Sequence, residues 1–334
     1  MLLTRHRREA SPRTCAGRGV EVGLSFPLLA APPAAVLRGE ASLDETLRGD
    51  ASGHVHAALS EAILRHLPGA APARVYVGNE TCERLLPAPR ALGAWVASAQ
   101  KGRVALSLVL PPLSRDGLGK AEEAVRALDG VEGSEVVAND WGTVHRLKSR
   151  HPGLAIVLGR LTHKMLRDPR IADYFDSPQA PMSARSALCR SGELAPGFRA
   201  LMDRYGIGRR EIDPFLQPLD AEEWEGRDER LSIHLPYQFV TMGRSCLPAA
   251  IHREGNGKFV AGGPCRTECA KYAVEFRVPV PGGNGTGRHL LSLGNALYHA
   301  VPPHVSERAL GLLPSGSRVD RVVVTVPAAG RKAS

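Results

Sequence analysis

Eight short runs of β-branched and aliphatic residues recur along this chain, at 20–28, 74–78, 103–110, 134–139, 155–159, 210–213, 231–235 and 321–326. Between them lie stretches with helical apolar spacing, among them 54–67, 119–128, 141–150, 197–205 and 307–312. Strand and helix in alternation imply βαβ units and a largely parallel sheet, because a parallel return needs a crossover that a helix supplies. Seven or eight such strands suit closure into a barrel, whose reactive groups come from the C-terminal strand ends and the loops after them. The expectation is an α/β, TIM-barrel-like fold with mainly parallel strands, one domain over 19–326, between disordered tails at 1–18 and 327–334. A length of 334 residues is ample for one such unit.

An open doubly wound sheet is the alternative, but no Gly-rich dinucleotide fingerprint follows the first strand. The sequence Val77-Gly78-Asn79-Glu80 lacks the glycine spacing. The glycine-dense stretch 282–287 follows Pro279 and Pro281, reads as a hairpin loop, and lacks the Lys-Ser/Thr ending of a phosphate loop.

Composition narrows the functional classes. Hydrophobic residues make up 43% and charged ones 23%, a globular balance. Aromatics are only 5%, which argues against the base-stacking platforms of single-strand RNA readers. The net charge of +9 invites RNA contact through phosphate neutralisation, yet much of it sits in the tails, at Arg5, Arg7, Arg8, Arg13, Arg18, Arg331 and Lys332. No run of 18 apolar residues exists, so no membrane span is expected and a cytoplasmic location is. The uncharged run 22–37 imitates a signal peptide, but Pro32 and Pro33 fit a strand followed by a connection better.

Six cysteines occur, at 15, 82, 189, 246, 265 and 269. Cys265 and Cys269 stand four apart after Gly262-Gly263-Pro264, a spacing and a start that predict one helix face carrying both thiols at a positive dipole end. Cys246 closes the segment 231–246, read as a strand leaving the core for a loop, and eighteen residues separate it from Cys265. Cys82 follows the run 74–78. Four thiols delivered by strand-end loops to one barrel face would make a metal cradle, iron–sulfur or zinc, with a redox disulfide as the competing use. Cys15 and Cys189 read as ordinary small residues.

Further polar residues fall where a barrel places its chemistry. Glu135 and Asn139 share one strand face, aimed into the lumen, with Asp140 as the cap of the helix starting near Trp141. Glu211 and Asp213 share another face and could bind a polar substrate or act as acid and base. His234, Tyr237 and Arg244 precede Cys246 and could line the cavity beside the metal, Arg244 as a two-pronged carboxylate partner. No His-Glu-x-x-His helix and no Gly-x-Ser-x-Gly elbow is present, which leaves a peptidase without a visible nucleophile.

Taken in order, Val75-Tyr-Val-Gly-Asn-Glu-Thr-Cys82, Glu135-Val-Val-Ala-Asn-Asp-Trp-Gly142, Leu235-Pro-Tyr-Gln-Phe-Val-Thr-Met-Gly-Arg-Ser-Cys246, Cys265-Arg-Thr-Glu-Cys-Ala-Lys-Tyr272 and Leu293-Gly-Asn-Ala296 resemble the collagenase-like peptidase family of unclassified mechanism, in its UbiU/UbiV branch of oxygen-independent ubiquinone-biosynthesis proteins. The resemblance implies a barrel and a [4Fe-4S] cluster on Cys82, Cys246, Cys265 and Cys269. It also implies a part in oxygen-independent hydroxylation of a ubiquinone precursor or related aromatic, with a second family member as partner. Relatives that modify RNA bases, and others described as peptidases, make RNA base hydroxylation, proteolysis or a cluster-bearing scaffold the alternatives. The stretch between Cys246 and Cys265 is longer than in that branch, and the basic N-terminus has no counterpart there.

Overall fold

The computed structural model describes residues 19–27, 31–49, 54–163, 165, 181–184, 191–192, 195–214, 228–260, 263–279, 288–311 and 318–326. The expected tails, Cys15, Cys189 and the stretch 282–287 lie outside them. Eight parallel strands close into a barrel: β1 (Glu21–Ser25), β2 (Arg74–Gly78), β3 (Ala105–Leu110), β4 (Glu135–Ala138), β5 (Ile156–Leu158), β6 (Arg209–Ile212), β7 (Arg230–Leu235) and β12 (Val319–Thr325). Their order around the wall is β1-β12-β7-β6-β5-β4-β3-β2. The seam closes where Val22 pairs with Val322 and Leu24 with Val324.

Period-two alternation divides each strand between two cores. Residues such as Leu24, Val75, Leu108, Val136, Ile233 and Val324 face outward and pack with the helices in one continuous apolar layer. Tyr76, Val109, Val137, Val157 and Val323, from five different strands, form a separate buried cluster that fills the lumen. Tyr76 fits because Gly23 stands beside it. A Cβ at Gly23 would come within 2.6 Å of the Tyr76 ring.

Below this layer, at the strand starts, sits a closed charged plug. Arg74 donates to Glu21 (2.5 Å) and Ser107 (3.1 Å), and Arg321 donates to Glu21 (2.9 Å), Glu135 (2.6 Å) and the Tyr76 hydroxyl (3.1 Å). Ser107 donates to Glu135 at 2.7 Å. Burial would raise the Glu135 pKa, but Arg74 and Arg321 hold it down, to about 2.

Helices cover the barrel, and their ends have identifiable causes. Ser114 accepts from the Gly117 N–H and starts the helix Arg115–Val125, four residues earlier than the apolar spacing predicts. Asp140 caps Trp141–Arg150 as expected, accepting from the Thr143 N–H at 2.8 Å. Pro89 opens Pro89–Gly102, where its missing N–H costs nothing. Among the described residues no helix is long and apolar enough to cross a membrane.

The second sheet is the part the strand count does not anticipate. Four antiparallel strands, β8 (Tyr237–Met242), β9 (Val274–Val278), β10 (Arg288–Leu293) and β11 (Ala296–Ala300), run in the order β8-β11-β10-β9. The segment 231–246, expected as a strand running out into a loop, therefore holds two strands. Pro236, with no N–H to give a ladder, falls between β7 and β8. A two-residue turn, Gly294-Asn295, joins β10 to β11, with Gly294 at φ +63° in the left-handed region.

Candidate metal centre and barrel mouth

Three separate stretches of chain carry the four cysteines to one place. Cys82 follows β2, and its loop is shaped by Asn79, whose Oδ1 accepts from the N–H groups of Thr81 and Cys82, both at 2.8 Å. The Asn79 Nδ2 donates to the Pro27 carbonyl, also at 2.8 Å, pinning the loop to the end of β1. Gly78 precedes it at φ +95°, and a side chain there would strike the Val109 carbonyl oxygen at 2.4 Å.

Cys246 stands after β8, at the head of a one-turn helix Leu247–Ala250. Cys265 and Cys269 stand ahead of β9. The predicted helix over them does not form: Thr267 takes φ +57°, and only the single 3-10 turn Glu268–Ala270 follows. The left-handed residue breaks the i,i+4 relationship, so the backbone bends Cys265 and Cys269 toward one cavity instead of a common helix face.

All four thiols line that cavity, of about 90 Å³, together with Arg84, Arg244 and Asn295. Ties between the loops hold it together. Asn295 donates through Nδ2 to the carbonyls of Thr81 (2.8 Å) and Gly243 (3.0 Å), joining the loops of Cys82 and Cys246. Arg84 donates to the Gly263 carbonyl at 3.2 Å, joining the Cys82 loop to the irregular segment leading to Cys265. Cys269 is buried and the other three half-buried. Burial first, and then the neighbouring cysteines, push the thiols of Cys82, Cys246 and Cys269 up, the last to about 12. Sulfurs in this state are neutral thiols that become ligands only when a cation takes the place of the proton. Among the described residues no group of three or more His, Cys, Asp or Glu side chains is closed up so as to hold a metal ion. The cysteines stand around the cavity wall.

Beside the cysteines, at the C-terminal end of the barrel, lies a second cavity of about 330 Å³. Phe26, Tyr76, Trp95 and Leu86 give it apolar walls, Arg84 a cationic lip, and Ala270 borders it next to Cys269. Arg84 and Leu85 line both cavities. Its size and lining are those of a small-molecule site.

A buried ionic cluster fixes the second sheet over this mouth. Arg160, just past β5, meets Glu80 with two hydrogen bonds (2.9 and 2.6 Å) and Asp213 with one (2.9 Å), and donates to the Tyr237 carbonyl at 2.7 Å. The Tyr298 hydroxyl donates to Glu80 at 2.7 Å, and the Phe239 N–H to Asp213 at 3.1 Å. Burial opposes the Glu80 charge, but Arg160 prevails and brings its pKa down to about 2.

The residues singled out in the sequence are thus distributed differently from expectation. Glu135 opens β4 and belongs to the charged plug at the far end of the barrel, not to a polar pair with Asn139 at the mouth. Asn139 is a staple, donating to the Leu110 carbonyl (2.9 Å) and accepting from the Leu161 N–H (3.2 Å). Asp213 is taken up by Arg160, while Glu211 pairs across strands with His234, Nε2 to Oε2 at 2.9 Å. His234, Tyr237 and Arg244 do not form one group: His234 is inside the barrel, Tyr237 packs in the core of the second sheet, and Arg244 alone lines the cysteine cavity. Asn79, Glu80, Arg160, Asn295 and Tyr298 emerge only from the structure. The first three follow directly on β2 and β5, the position where a barrel strand delivers polar groups, and that position was the available signal.

Fold and site together define an α/β barrel whose C-terminal mouth carries a roofing sheet and a four-cysteine cavity. Compared with models of known protein families and with curated proteins, the chain matches none.

Proposed function

We propose that Cys82, Cys246, Cys265 and Cys269 hold a [4Fe-4S] cluster, and that the chain serves oxygen-independent hydroxylation of an aromatic, a ubiquinone precursor or relative, seated at the barrel mouth. One observation carries the reading: four thiols from three distant stretches line a single cavity. Such a donor set suits a cubane, in which each of four irons takes one thiolate. The sequence resemblance to the UbiU/UbiV branch supports the same assignment. When bound, the cluster would supply one-electron redox chemistry. The chain's own residues do the rest. Phe26, Tyr76, Trp95 and Leu86 exclude water from the adjoining cavity, and Arg84 offers a charged hydrogen-bond donor at the lip the two cavities share.

Oxygen-free purification tests this. The protein should be brown, with about four iron and four sulfide per chain, and Cys269→Ser should lose most of both while the barrel stays folded. A prenylated phenol should bind the wild type, and Trp95→Ala should weaken that binding without changing iron content. Colourless protein with stoichiometric zinc rejects the cluster. Full iron with no effect of Trp95→Ala rejects the substrate cavity alone.

A further inference from the structure

Most large apolar side chains exposed among the described residues fall in one stretch. Met242 (36% exposed), Leu247 (40%), Ile251 (50%), Val260 (56%) and Tyr272 (45%) all lie between residues 242 and 272, the segment that carries three of the four cysteines. Exposed apolar residues gathered in this way, as opposed to scattered singly, mark an interaction surface. The same segment is basic, with Arg244, Arg253, Lys258, Arg266 and Lys271 against Glu254 and Glu268.

Val260 and Tyr272, with His252, Arg253, Arg266, Glu268 and Lys271, line an open concavity of about 640 Å³, and Leu247, Ile251 and Lys258 lie within two residues of its lining residues Ala249, His252 and Gly257. His252 and Tyr272 meet edge to face at 6.1 Å. Arg253 supports the floor by donating to the carbonyls of Gly257 (3.5 Å) and Pro264. Ala249, Arg253, Val260, Gly263 and Pro264 line this concavity and the cysteine cavity alike, so one thin wall separates them.

We propose that this surface docks a small acidic one-electron carrier protein, which reduces the centre held by the cysteines through that wall. The proposal rests on the cluster reading above. In the transfer the carrier's reduced centre loses one electron and the cysteine-held centre gains it, with no bond made or broken and no proton moved. Charge complementarity selects the occupant. A basic rim steers an acidic partner and repels a second copy of itself. The exposed aliphatics Leu247, Ile251 and Val260 suit a protein partner's apolar patch, whereas a phosphate backbone has nothing to gain from them.

The test uses the anaerobic holoprotein, whose iron and sulfide are measured first, so that failure of the cluster reading is seen before any carrier is added. A reduced acidic [2Fe-2S] ferredoxin serves as probe, and reduction is followed by stopped flow. The bimolecular rate should fall about tenfold or more on raising salt from low to ~0.5 M, as steering is screened. Lys258→Glu with Lys271→Glu should slow it about tenfold, and Ile251→Ser severalfold, each with unchanged iron content and unchanged reduction by dithionite. Carbodiimide cross-linking should join the carrier to Lys258 or Lys271. No reduction by the ferredoxin, or a rate indifferent to salt and to the charge reversal, overturns the proposal. So does tighter binding of structured RNA or anionic vesicles to the same surface.

Discussion

Arg160 and Glu80 meet as a two-pronged ion pair, Nε to Oε2 at 2.9 Å and Nη2 to Oε1 at 2.6 Å, with the Arg160 side chain only 2% exposed and that of Glu80 9%. The pair joins the ends of two barrel strands to Tyr298 of the roofing sheet, whose ring also lies 5.3 Å from the guanidinium carbon. Breaking one partner of a buried pair strands the other's charge. Glu80→Gln keeps the shape and removes the charge, so it should lower unfolding free energy by about 3–5 kcal/mol in urea titrations. A loss below ~1 kcal/mol would mean that Asp213 alone suffices for Arg160.

Acid should find the same pair. The Glu80 and Glu135 carboxyls are held to about 2 from an ordinary 4.5, by Arg160 in one case and by Arg74 with Arg321 in the other. A depressed carboxyl contributes stability above its unfolded pKa and loses it as pH falls toward the folded one. Stability should therefore be level above pH ~5 and drop between ~4.5 and ~2, by roughly 3 kcal/mol for each group at about 1.4 kcal/mol per pH unit. Urea midpoints across that range measure it. The double variant Glu80→Gln, Glu135→Gln should give a flatter profile from a lower start, and an equally steep one would shift the acid sensitivity to other carboxyls.

The barrel was legible in the sequence because its signal is mostly local: every strand but β6, which reads Arg-Arg-Glu-Ile, is a short and largely apolar run, and each overlaps a predicted one. The roofing sheet was not. Val274–Val278 exposes alternate residues and Arg288–Leu293 opens on Arg288-His289, so neither reads as a core strand; they pair with each other, and β10 in turn with β11. The cysteines stood out by identity, but the backbone joining Cys265 to Cys269 did not. Thr267 is a β-branched residue in the left-handed region, and propensity gives no warning of that. Glu135 misled because period two assigns a face of the strand but not an end of the barrel.

Asn295 ties the Cys82 loop to the Cys246 loop with one amide, through Thr81 and Gly243. Asn295→Ala removes both bonds and leaves two carbonyls to find water, at a cost of about 1–3 kcal/mol to the local structure. In metal-free protein, alkylation of Cys82 and Cys246 by iodoacetamide should quicken severalfold while global unfolding moves less. Asn295→Asp, with no N–H to donate, should behave like the alanine variant. Protection that survives in both variants would show that the loops are held by other contacts.

Asn139 and Gly159 form a closer couple. The Asn139 carboxamide spans the Leu110 carbonyl and the Leu161 N–H, holding the end of β3 to the turn after β5, and Gly159 lies directly beneath it. A Cβ at Gly159 would sit 2.2 Å from Asn139 Oδ1, too close for any real contact. Gly159→Ala must therefore expel the carboxamide, losing both hydrogen bonds and moving Arg160 with the turn, and should cost about 2–4 kcal/mol. Asn139→Ala loses the same two bonds but makes room. In that background the added methyl meets space, so the double variant should be little worse than Asn139→Ala alone, with a coupling of 1–3 kcal/mol between the sites. Chemical unfolding of the four proteins measures the cycle. Additive losses would mean that the glycine is required for its backbone and not for the room it gives Asn139.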